Sequence, residues 1–241
     1  MIQMLNHRLN ETKIGTAKVI VDILPKGKCI PNTRITPSSI TIHNTGNVDA
    51  PARNNHNYMR NCNRTGERIA SWHFTVDDKE IIQAQSCNYK TYHAGTSTGN
   101  NSSIGIEICM FSDKDKQKKA YDNAIALVKI LMDYYDFDAN DIKRHKDWSG
   151  KHCPAWLIEG KYGYTWTWFM SYLNGDASAT DSFRIKVVNC TTLNARSGPS
   201  TNYPVKDTVK AGTILTIVGI SGNWYKTKSG LYVNKNYCQR I

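Results

Sequence analysis

The chain has 241 residues, 40% hydrophobic and 10% aromatic, and carries 31 Lys and Arg against 20 Asp and Glu for a net charge of +11. That apolar content excludes a wholly disordered chain, and the lack of any uninterrupted apolar run near ~18 residues, with a mean hydropathy of −0.51, excludes a membrane-spanning helix. The charge implies a polyanionic partner and is uneven: residues 183–241 hold nine basic residues against Asp207 alone.

In chain order, the first apolar candidate runs from Ile14 to Leu24, but Lys18 and Asp22 interrupt it and no small-residue cleavage pattern follows. No secretory signal is therefore expected, and the chain should be made in the cytoplasm. Segment 1–35 allows two readings, a leading strand on the main sheet or a separate extension. Ser39 to His43 alternates like a strand and meets the turn signal Asn44-Thr45-Gly46, which leaves His43 at the strand's end. Asp49 to Arg64 reads as a helix. Ser71 to Val76 and Ile81 to Ala84 form an expected hairpin around Asp77 to Glu80, and Ser103 to Cys109 is a further β-branched run. Tyr121, Ala124, Val128, Leu131 and Tyr135 recur at spacings of three and four, so a long helix is expected over Asp115 to Tyr134 with Ser112 as its cap. A short helix over Trp166 to Leu173 closes the segment. Strands mixed with helices in this way predict an α/β domain, a mixed central β-sheet flanked by helices.

Asn174 to Ser182 is small and polar with no apolar periodicity, which predicts a linker over 175–182 between a domain at 1–174 and another at 183–241. Beyond it, short β-type runs (Phe183 to Val188, Thr213 to Gly219, Trp224 to Thr227, Leu231 to Val233) alternate with Gly-containing turns. This texture predicts a small all-β barrel or sandwich. Seven cysteines show no repeated short spacing, and an odd number cannot all pair, so no disulfide framework is expected. Cys29, Cys62, Cys87 and Cys109 read as small buried hydrophobes.

Three nitrogen and sulfur donors stand out by position. His43 closes a strand, and His145 and Cys153 lie eight residues apart in a loop-like segment stopped by Pro154. Zinc accepts such a mixed set, and three protein ligands leave a fourth position open. Spacing alone equally fits a buried cysteine beside surface histidines.

Five ordered blocks go further. Ile40-Thr-Ile-His-Asn-Thr-Gly46, Ala70-Ser-Trp-His-Phe-Thr-Val76, Tyr92-His-Ala-Gly95, Asn101-Ser-Ser-Ile-Gly-Ile-Glu107 and His145 to Pro154 resemble, in order and spacing, the zinc-dependent N-acetylmuramoyl-L-alanine amidases of the amidase-2 family, which are related in fold to peptidoglycan recognition proteins. The resemblance covers roughly residues 36–173. It implies one catalytic Zn²⁺ held by His43, His145 and Cys153, Glu107 as the base that activates the attacking water, and Lys151 as the cation facing the developing oxyanion. Relatives with a tyrosine in the aromatic-His-Phe block differ at Trp72, so the base role falls to Glu107. His93 and Trp72 are substrate-binding candidates, while His73 reads as a packing residue and His152 as turned away from the metal.

Leu193 to Tyr203, with Lys210 to Thr213, Asn223 to Lys226 and Leu231 to Val233, resembles the bacterial SH3-like domains that bind cell walls. This likeness implies a groove drawn from Arg196, Tyr203, Trp224, Tyr225 and Tyr232, with peptidoglycan and anionic wall polymers as partners. Together the two resemblances imply an endolysin-type hydrolase that acts at the wall after holin-type release. An autolysin of the same chemistry and a non-catalytic peptidoglycan-binding protein are the alternatives. Retention of Cys153, Glu107 and Lys151 favours the enzyme. A nucleic-acid binder would explain the basic tail but not the N-terminal blocks.

Overall fold

The computed structural model describes residues 3–173, 183–221 and 223–241, so the linker expected over 175–182 lies outside the described residues. They fall into two compact units, Met1–Trp166 and Thr167–Ile241, with the division inside the last helix of the first segment.

The first unit begins with a two-stranded ribbon, β1 (Met4–Leu5) and β2 (Arg8–Leu9), followed by β3 (Lys13–Ile14), β4 (Ala17–Val21), β5 (Ser39–Val48), α1 (Ala52–Thr65), β6 (Phe74–Val76), β7 (Glu80–Gln83), α2 (Ser97–Ser102) and β8 (Ser103–Met110). Then come α3 (Lys114–Tyr135), β9 (Ile142–Arg144), α4 (His145–Ser149) and α5 (Ala155–Glu159), and α6 (Trp166–Leu173) starts at the last residue of this unit. One mixed sheet forms in the order β3-β4-β7-β6-β8-β5-β9. The run β6-β8-β5 and the edge strand β9 pair in parallel, and the expected β6–β7 hairpin is antiparallel. Helix α1 lies against β6 and β7, and α3 against β3, β6 and β8.

Burial explains the order. Every residue of β8 is buried except the half-buried Glu107, as expected for a strand enclosed on both faces. By contrast β4 alternates, with Ala17 and Val19 inward and Lys18 outward. It pairs in parallel with β7 from Lys18↔Glu80 to Val21↔Gln83, which decides between the two readings of segment 1–35: the leading segment extends the main sheet. Asp22 follows β4 and accepts from His56 Nε2 of α1 at 3.0 Å and from Arg60 at 2.6 Å. Asn63, at the end of the same helix, takes the backbone N–H groups of Cys29 and Ile30 on its Oδ1, both at 3.0 Å. The N-terminal segment is thus tied to α1 by buried polar contacts as well as by the sheet.

Two local expectations are corrected. The cap of α3 is Asp113, whose carboxylate accepts from Asp115 and Lys116 N–H; Ser112 instead donates through N and Oγ to Asp49. The turn signal at Asn44-Thr45-Gly46 does not end the strand. There β5 shifts register against β8, with Gly46 at φ +69°, and continues to Val48. Glycine tolerates that left-handed backbone at no steric cost, and the bulge pushes Thr45 to Asn47 out as one lip of a cleft.

Beyond α6, the described residues of the second unit are built on β-strands. Strands β10 (Phe183–Val187), β11 (Thr192–Arg196), β12 (Val205–Lys210), β13 (Ile214–Ser221), β14 (Trp224–Thr227), β15 (Tyr232–Asn234) and β16 (Cys238–Arg240) form an antiparallel sheet in the order β12-β11-β15-β14-β13-β10-β16. Ile185, Val187, Leu193, Ala195, Ile217 and Val233 make its core. All seven cysteines are unpaired, and Cys29, Cys62, Cys87 and Cys109 are buried.

Candidate metal centre and catalytic cleft

Strand pairing assembles the site. His43 on β5 and Glu107 on β8 are direct partners in a parallel pair, so both side chains stand on one face of the sheet. On the other side of β5, β9 runs into α4, whose first residue is His145. Rather than an irregular loop, the His145 to Cys153 segment is this short helix, closed by Gly150 at φ +76° and folded back so that Lys146 N–H donates to the Cys153 carbonyl at 3.0 Å.

The three expected ligands converge. His43 Nδ1 lies 3.1 Å from His145 Nδ1 and 3.8 Å from Cys153 Sγ, and the three donor atoms all fall within 4.8 Å of one another. Around a tetrahedral zinc with its usual bond lengths, nitrogen pairs stand about 3.3 Å apart and nitrogen–sulfur pairs about 3.6 Å apart. The donor set therefore fits zinc in type, and the two pairs that include His43 fit it in spacing. Burial, aided by neighbouring His93, His145 and Lys151, holds His43 well below the usual histidine range, and burial followed by Lys151 lowers His145 to about 4. Both rings are neutral near pH 7, the form that ligates a metal.

Hydrogen bonds also settle the tautomer of His43. His93 Nε2 donates to the Ser103 carbonyl at 3.2 Å, which leaves His93 Nδ1 as an acceptor for His43 Nε2–H at 3.0 Å. His43 Nδ1 is then the lone-pair nitrogen, and it is the atom facing His145 and Cys153. His93, expected as a substrate contact, is 8% exposed and orients a ligand as well as lining the cleft. His73 is fully buried, donates to the Tyr89 carbonyl and accepts from Gly105 N–H at 2.9 Å, which makes it a packing residue. His152 is exposed and pairs with Glu159 at 2.9 Å, away from the donors.

Gly105 was not singled out by the sequence, yet the site depends on it. A Cβ there would sit 2.7 Å from His93 Cγ. Gly105→Ala is expected to destabilise the fold by about 1–3 kcal/mol through overpacking and, by displacing His93, to weaken zinc binding by roughly 10–100-fold. Thermal melting and competitive zinc titration check this; unchanged zinc affinity would refute the role given to His93.

A cleft of roughly 580 Å³ opens over the donors and is lined by His145, Cys153, Glu107, Lys151, His93 and Trp72 among others. Glu107 Oε2 is buried without a hydrogen-bond partner among the described residues. Burial pushes the Glu107 carboxyl up to about 8 against the pull of Lys151 and Arg68. Lys151 is exposed at the lip. Trp72 reaches the cleft at its edge only: it is 8% exposed, packs with Leu24, Ile30, Met59 and Ala84, and donates from Nε1 to Thr75 Oγ1 at 2.7 Å.

The N-acetylmuramoyl-L-alanine amidase family matches residues 33–156, half of the chain. This chain belongs to that family. The amidase XlyA of Bacillus subtilis is 41% identical to it over 167 residues, covering 67% of this chain and 53% of XlyA. The solved catalytic domain of XlyA aligns at 38% identity and a TM-score of 0.58 over 65% of this chain and 99% of that domain. A mutant endolysin from Bacillus subtilis aligns at 37% identity and a TM-score of 0.58 over 65% and 99% of the respective chains. This amidase-family chain spans about half the length of the first curated relatives it matches.

The bacterial SH3 family matches residues 191–237 of the same chain. The five groove residues expected there do not share one surface. Tyr225 stands opposite the fully buried Val233 and edge-on to Phe183, packed on the core. Trp224 is 9% exposed. Arg196 is the direct partner of Tyr232 and donates to the carbonyls of Thr201 and Tyr203 at 3.0 and 2.8 Å, so its guanidinium holds its own loop together. Tyr203 is 46% exposed, with its ring over Gly198. Lys226, which had not been singled out, lies across from Tyr232 with Nζ 5.8 Å from the ring.

Proposed function

We propose that this protein is a zinc-dependent N-acetylmuramoyl-L-alanine amidase of the endolysin type, which hydrolyses the amide joining the lactyl group of muramic acid to L-alanine in peptidoglycan. The observation that carries this reading is the convergence of His43, His145 and Cys153 on one point, in a cleft whose wall holds the unpartnered carboxylate oxygen of Glu107. Zinc held by these donors supplies Lewis-acid polarisation of the scissile carbonyl. Glu107 takes the proton of the attacking water and delivers it to the departing L-alanine nitrogen, which requires the ionised carboxylate that Lys151 and Arg68 favour against burial. Lys151 stabilises the oxyanion from the lip, a contribution of about 3–4 kcal/mol when such a donor is well placed.

Purified walls incubated with the zinc-loaded protein should yield new L-alanine amino termini and no new reducing sugars. Reducing ends without amino termini would identify a glycosidase and overturn the reading, and no product at all would leave a wall-binding protein.

Residues 1–174 would then hold the chemistry, and 183–241 would deliver it to the wall through the charge of nine basic residues against Asp207. Deleting 175–241 is expected to preserve hydrolysis of soluble muropeptides while reducing retention on whole walls, and the retention of the full chain should fall as salt rises from 0.05 to 0.5 M, on the order of the range in which exposed charges become screened. Wall pull-down at graded salt measures both; salt-independent retention would exclude an electrostatic delivery module.

A further inference from the structure

The cleft carries more positive charge than its own residues answer. Arg68 and Lys151 both line it, and neither forms an ion pair among the described residues. The one carboxylate on its walls is Glu107, and Glu67, next to Arg68 in sequence, does not line it. Lys151 already has a partner in the proposed chemistry, the oxyanion. Arg68 has none.

The backbone of Arg68 is fixed while its side chain is not. Helix α1 ends at Gly66 with φ +77°, and the Arg68 carbonyl then accepts from Cys29 Sγ at 2.9 Å and from Ala70 N–H at 3.2 Å. Arg68 is exposed and lines the cleft together with the neutral groups Asn55, Tyr58, Tyr92 and Trp72. A cation pinned at its root, beside neutral walls, is arranged for an anion brought by the ligand.

The substrate of the proposed reaction brings one. In the stem peptide the residue after L-alanine is a D-glutamate linked through its γ-carboxyl, and its α-carboxyl is free in some walls and amidated in others. That group lies within about 7 Å of the scissile nitrogen, two residues along the chain. We propose that Arg68 binds this α-carboxylate and makes the protein selective for stem peptides in which it is not amidated. The inference rests on the amidase reading above. A carboxamide presents a dipole where the carboxylate presents a charge and two acceptors, and a charge-assisted bidentate pair is roughly twice as strong as a neutral one.

The test uses the full zinc-loaded chain and two synthetic substrates, muramoyl-L-Ala-D-Glu and muramoyl-L-Ala-D-isoglutamine. The expected result is a kcat/KM about tenfold higher for the free acid. Arg68→Gln should bring the acid down to the level of the amide while changing the amide less than about twofold, and Arg68→Lys should keep part of the preference because a point charge remains without the fork. Equal rates on the two substrates, or an Arg68→Gln loss that is the same for both, would overturn the inference and leave the amidase reading standing. Cleavage of neither substrate would sink the amidase reading. In that case binding isotherms for the same two compounds on the Glu107→Gln protein still decide the role of Arg68: tighter binding of the acid supports it, and equal binding refutes it.

Discussion

Cys153→Ser is expected to leave a folded protein that no longer retains zinc and no longer hydrolyses walls. Cys153 is 6% exposed, and burial together with Glu107 pushes its thiol up to about 12. A bound divalent cation reverses that preference, because coordination deprotonates a thiol outright. Serine has nearly the same shape, so packing is preserved, but its hydroxyl ionises far less readily and is a poorer ligand for zinc. Loss of one of three protein donors should exceed the roughly 10–100-fold penalty typical of changes outside the ligand set. The measurement is zinc per chain after dialysis, beside amino-terminus release from walls. Stoichiometric zinc with full lysis would remove Cys153 from the site.

Glu107→Gln is expected to give the opposite pairing, zinc retained and turnover lost. Glu107 is not among the converging donors, so metal content should stay near one per chain. The neutral amide cannot take the water's proton, and kcat should fall by about 10²–10⁴. Stability separates this role from a structural one. The wild-type carboxylate leaves Oε2 buried without a partner, a defect of about 1–3 kcal/mol. Burial pushes the wild-type carboxyl up to about 8, so near pH 7 the acid and its isosteric amide are both largely neutral and the variant is expected to melt close to the wild type. A fall in melting temperature matching the fall in activity would show that Glu107 supports the fold instead of the reaction.

Much of the first unit was legible because its strands are short, β-branched and bounded by turn residues, and because the five blocks sit where those strands end. What escaped has physical causes. Lys18, read as an interruption of an apolar run, is the outward residue of an alternating strand, and β4 is recognisable only once β7 supplies its partner. In the second unit β12 has only exposed or half-buried side chains, so it left no hydrophobic signature, and β11 lay hidden inside a block noted for other reasons. The three donors that converge could be named from sequence, but the proton arrangement on His43 could not. It depends on a carbonyl of Ser103 sixty residues away, and no local pattern encodes such a contact. Arg68 escaped for a related reason: a cation is conspicuous only when the surroundings that fail to neutralise it are known.

The pairing of His43 with Glu107 across β5 and β8 bears on how activity is lost under stress. Both residues hang from the same rung of the sheet's interior, between β6 and β9. A fluctuation that frays the ribbon at Met4 to Leu9 leaves that rung intact, whereas any opening that frees one of the two frees the other. Slow amide exchange at β5 and β8 should therefore persist for as long as hydrolysis does, and the two should vanish together on heating, with no population that keeps the metal site but has lost the base.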